Sequence, residues 1–79
     1  MICIKKDLLD NLRFIDSYED EMYTYEVLSK ARNIAEEYNL QKITNGTINK
    51  QLLKEFYEII VEVQLVLARY GITHYLHYL

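Results

Sequence analysis

The 79-residue chain has no proline and no tryptophan, two glycines and one cysteine. Tight corners are therefore scarce, which disfavours sandwiches and barrels and favours long uninterrupted helices. A lone Cys3 excludes an intrachain disulfide and points to a reducing compartment. It reads as a small buried hydrophobe, because no base stands beside it to make it a nucleophile. Bases are also short: 9 Lys and Arg against 12 Asp and Glu leave a formal charge of −3. That balance argues against direct nucleic-acid binding, which needs a basic face for phosphates. Charge-free apolar runs are missing as well. The most apolar stretch carries Glu55, Glu58 and Glu62, so no membrane span is expected. Lys5, Lys6 and Asp7 interrupt the apolar start where a signal peptide would need it continuous. The expectation is a cytoplasmic protein. Neither a phosphate-binding glycine loop nor a nucleophile elbow is present.

What the chain does have is 51% hydrophobic and 27% charged residues, the composition of a globular domain. We read residues 1–79 as one domain. A domain this short buries only about 60% of the surface its unfolded chain exposes. Self-association is a common supplement to so small a core. Tyrosine is abundant, with eight Tyr against two Phe. Its ring and polar tip suit half-buried and interface positions.

The periodicity predicts an all-α fold of three main helices, short, medium and long, in a small bundle completed by self-association. Residues 1–4 form an apolar arm, strand-like or leading into a helix. Leu8, Leu9, Leu12 and Ile15 predict a short amphipathic helix over 5–15. Ser17 reads as an N-cap, with Asp20 in the position of the usual capping-box acid. A second helix is expected over 18–38, with Thr24, Val27, Leu28, Ala31, Ile34, Ala35 and Tyr38 as its stripe and Asn39 ending it. The loop is placed at 41–46, tightest at Asn45-Gly46. That pair with Thr47 also matches a glycosylation sequon, which we read as a turn. Thr47 is the expected N-cap of a helix over 48–70, closed by Gly71. Its stripe is Leu52, Phe56, Ile59, Val63, Val66 and Tyr70, widened by Leu53, Ile60 and Leu67. Val61, Leu65 and Ala68 lie nearly opposite. A second apolar face on one helix of a small monomer predicts contact with another chain. Residues 72–79 form an apolar tail, expected to add a helical turn that docks on the core. His74 and His77 share a helical face there, with no further ligand nearby in sequence.

Charge is uneven along the chain. Residues 16–37 hold seven acids against Lys30 and Arg32. Asp16, Glu19, Asp20 and Glu21 crowd the start of the second helix, where the dipole favours them. The same cluster, with Tyr18 and Tyr23, can steer the chain to a basic surface on a nucleic-acid-handling protein.

On the third predicted helix Glu55, Glu58 and Glu62 line one side, and Glu36 and Glu37 close the helix before it. The segment 54–61, with its Glu55 and Glu58 at i and i+3, and the later Tyr70-Gly71-Ile72, resembles the second metal-binding helix of MazG-like nucleotide pyrophosphohydrolases. Glu36 and Glu37 match the first two acids of that family's E-E-x-x-E motif. Leu40 stands where its third acid belongs, and Glu58 stands for an Asp. The resemblance implies an all-α dimer in which Glu36, Glu37, Glu55 and Glu58 hold Mg²⁺ and polarise a nucleoside triphosphate.

Two functions follow as expectations. The first is a non-enzymatic interaction module without a cofactor. Its most concrete form is a small regulator or inhibitor from a phage or other mobile element that binds a host protein, with homo-oligomerisation. The alternative is the Mg-dependent pyrophosphohydrolase, active or degenerate. A compact DNA-binding regulator is disfavoured by the charge and by the lack of a basic recognition helix.

Overall fold

The computed structural model describes residues 1–73. Three α-helices follow one another: α1 (Lys6–Asp10), α2 (Tyr18–Asn45) and α3 (Lys50–Ala68). A 3-10 turn over Asn11–Phe14 continues α1. Among the described residues there is no β-strand. The fold is all-α, a hairpin of α2 and α3 with the N-terminal segment packed onto it. No helix among the described residues is long and apolar enough to cross a membrane.

Local chemistry sets each boundary. Ser17 caps α2, its Oγ accepting from the Asp20 amide at 3.3 Å, and Glu19, Asp20 and Glu21 occupy the first turn. Gly46 ends the helix with φ 67°, its amide donating to the Lys42 carbonyl. α2 therefore runs to Asn45, well past the expected stop at Asn39. Asn39 stays helical because its amide group has another task. Its Nδ2 donates to the Ile2 carbonyl at 2.8 Å and its Oδ1 accepts from the Ile2 amide at 2.9 Å. Beyond it, Leu40, Gln41 and Lys42 are good helix formers and simply carry the helix on.

The loop shrinks accordingly to residues 46–49. The N-cap of α3 is Asn49, not Thr47: Asn49 Oδ1 accepts from the Leu52 amide at 3.2 Å. Asn49 Nδ2 also donates to Gln41 Oε1 at 3.1 Å, which ties the loop to α2. At the far end the Ile72 amide donates to the Leu67 carbonyl and the Gly71 amide to that of Ala68, both at 3.1 Å. With Gly71 at φ 84° this is a Schellman closure. The first helix is shorter than expected, since it tightens into the 3-10 turn and leaves Ile15 outside.

The core lies along the seam between the helices. α3 contributes Phe56, Ile59, Ile60, Val63, Val66 and Leu67, all on the expected stripe. α2 contributes Leu28, Ala31, Ala35 and Tyr38, and its small Ala31 is 0% exposed. Leu8, Leu12 and Ile15 close the core from the N-terminal side. Thr24 and Gln64 are buried among them at 0% and 1% exposure. In the arm, Ile2 and Ile4 pack on the core while Cys3 faces out. This alternation of an extended chain corrects the expectation that Cys3 is buried. The proposed docking turn and His74 and His77 lie outside the described residues. Of the tail, Ile72 packs against the core.

Candidate interaction surface

The antiparallel hairpin sets the first turns of α2 beside the last turns of α3. Asp20 makes the join. Its Oδ2 accepts from the Tyr70 hydroxyl at 2.5 Å, and its Oδ1 lies 3.5 Å from Arg69 Nη1. One turn further along α2, Tyr23 lies near enough to the Glu62 carboxylate for its phenol to feel it. The phenol pKa values move as these contacts require. The hydrogen bond to Asp20, then burial and the carboxylate charge, push Tyr70 above its ordinary 10.0. The hydrogen bond to Glu62, followed by burial and the same carboxylate's charge, raises Tyr23. In both cases a nearby anion disfavours a tyrosinate.

Leu65 sits within this frame. On α3 it lies between Glu62 and Arg69 at helical spacing, so the three share one face. Both neighbours reach across to α2, through Tyr23 and Asp20. Leu65 itself stays 55% exposed. Val61 and Ala68 flank it and are half-buried. Asp16, Glu19 and Glu21 stand exposed at the same end of the hairpin, and Tyr18 is exposed beside them. The fold thus gathers two groups that are distant in sequence, the apolar positions of α3 and the acids of α2. Glu62, Arg69 and Tyr70 complete the site and were not anticipated. No local pattern marks them, because their role depends on which residues of α2 lie opposite.

No family model matches the chain, and neither does any curated protein or solved structure.

The four carboxylates of the pyrophosphohydrolase alternative are spread over the surface. Glu55 and Glu58 line a groove of about 620 Å³ with Glu62, Lys30, Ile34 and Ile59. Glu36 lines a different one, beside Arg32 and the N-terminal arm. Glu37 accepts from Gln41 at 3.0 Å, Glu55 from Gln51 at 3.2 Å, and Glu58 pairs with Lys54 at 3.8 Å. Each of these contacts joins residues i and i+4 on the carboxylate's own helix. Among the described residues, no three His, Cys, Asp or Glu side chains come together to hold a metal ion. Within this chain the four Glu do not fit a shared Mg²⁺, which relies on a few oxygens placed around one point.

Proposed function

We propose that the chain is a protein-interaction module, a small regulator or inhibitor of the kind mobile elements deploy, that docks on a host protein through the Leu65 end of the hairpin. The observation that carries this reading is an exposed Leu65 on the α3 face whose Glu62 and Arg69 approach Tyr23 and Asp20 of α2, with Asp16 and Glu19 exposed at the same end of the hairpin. A rigid apolar knob gives a contact its anchor, and a rim of one charge selects the partner and speeds encounter. The complement is a protein surface with an apolar pocket and basic edges, such as proteins that handle nucleic acid present. Arg69 is already engaged by Asp20, so the frame remains net acidic.

The test uses the intact chain as bait in a host lysate, compared with Leu65→Glu and with Asp16→Lys/Glu19→Lys. The reading expects a partner retained by wild type and lost from both variants while their helical spectra are unchanged. A partner retained equally by all three would refute it. The pyrophosphohydrolase alternative has its own assay. Glu55 and Glu58 share a groove, and hydrolysis of nucleoside triphosphates with Mg²⁺ or Mn²⁺ that disappears in Glu55→Gln would establish it in place of the interaction reading. We expect no activity above background.

A further inference from the structure

α2 carries apolar side chains on both sides. Opposite the core stripe, steps of three and four run from Tyr18 through Met22 and Tyr25 to Leu40 and Ile43, each more than half exposed. α3 has less to offer outward, namely Tyr57 and Leu65 as its large exposed apolar residues. The outer residues of α2 are also unevenly placed. Apolar side chains hold the two ends of the stripe, and Ser29, Arg32 and Glu36 hold its middle.

We propose that this stripe is the contact surface for a second copy of the chain, with the two α2 helices packed antiparallel about a two-fold axis near their midpoints. Such an interface must be self-complementary. An axis between residues 30 and 31 sets Tyr18 against Ile43 of the second copy and brings Met22 within one residue of the level of Leu40. Each apolar end of one helix then covers the opposite apolar end of the other, twice over. In the middle Tyr25 meets Glu36, a phenol beside a carboxylate, and Ser29 meets Arg32. The alternating steps are those of knobs packing into holes along a helix pair.

Charge selects this orientation over the parallel one. The first half of α2 carries Glu19, Asp20, Glu21 and Glu26 against Lys30, while the second balances Arg32 and Lys42 against Glu36 and Glu37. Parallel packing sets acid on acid. Antiparallel packing brings Glu21 to Lys42 at both ends of the contact. The helix is long enough for this, since α2 has 28 residues in a molecule whose longest dimension is 42 Å. The contact moves self-association from the expected Val61, Leu65 and Ala68 face to α2. It uses Tyr18 and Glu21 from the acidic end but leaves Leu65, Asp16 and Glu19 open, so the oligomeric state and the capture of a partner read the two proposals apart.

Sedimentation of wild type should show a dimer at high micromolar concentration. Glu21→Lys and Lys42→Glu should each raise the dimer dissociation constant about tenfold or more, through two like-charge pairs per interface. The double variant should recover most of the loss. In a Cys3→Ser background, Met22→Cys with Leu40→Cys should oxidise to a covalent dimer, whereas Met22→Cys alone should not. Both positions are exposed, so the fold survives these changes and circular dichroism will confirm it. A monomeric wild type overturns the proposal. So does a dimer indifferent to both charge changes but dissolved by Leu65→Glu, or one that Met22→Cys alone cross-links as readily as the pair.

Discussion

Thr24 and Gln64 lie in the core, and among the described residues Thr24 Oγ1 and Gln64 Oε1 have no hydrogen-bond partner. A buried group in that condition costs about 1–3 kcal/mol, a large share of the roughly 4–12 kcal/mol expected of a domain this size. Thr24→Val keeps the shape and deletes the hydroxyl. It should stabilise by about 1 kcal/mol and lift Tm by about 4–8 °C in a thermal melt. An unchanged or lower Tm would mean the hydroxyl earns its place. Phe56 is the opposite case, 2% exposed at the centre of the α3 stripe. Phe56→Ala should cost about 3–5 kcal/mol and leave a chain that melts near ambient temperature. Tyr70 supplies a pH signature. Its folded pKa is raised, so the Asp20 bond contributes fully below the ordinary 10.0 and is lost as pH rises through the folded value. Tyr70→Phe should therefore lower Tm at neutral pH, and the difference from wild type should close in alkali. A constant gap across that range would contradict the bond.

At the scale of elements, Asn39 shows where the sequence could be read and where it could not. Three helices, their core stripes and the closing role of Gly71 were legible, because apolar spacing and glycine conformation are local properties. The length of α2 was not. Asn39 looks like a helix stop in isolation, and only the arm lying against it reveals that its amide is engaged by Ile2. The loop and the true cap at Asn49 were displaced by the same error. Cys3 was misread for a related reason, since its side chain follows the alternation of an arm whose path is set by that contact. Asn39→Ala tests this account. Two lost hydrogen bonds cost about 1–3 kcal/mol, while the gain in helix propensity is under about 0.7 kcal/mol. The variant should be less stable, with the methyl resonances of Ile2 and Ile4 moving toward random-coil positions. Unmoved methyls would show that apolar packing alone holds the arm.

At the scale of the molecule, the hairpin buries its core along the seam of α2 and α3 and turns large apolar side chains outward in two places. The Leu65 end was half legible. Both its acids and its apolar positions stood out in the sequence, but they belong to different helices, and only the packing shows that they share one end. The outer stripe of α2 was hidden by the stronger pattern of its core face. If docking through Leu65 is what the chain does, binding should combine an apolar anchor with an acidic rim. The most direct measurement is the dissociation constant of the complex with the captured partner, for wild type and Leu65→Glu, from low to high salt. Affinity should fall as salt screens the rim, and Leu65→Glu should weaken binding at least about a hundredfold at every salt concentration, as loss of a central anchor does. Affinity that is insensitive to salt and equal in the two proteins would contradict the account.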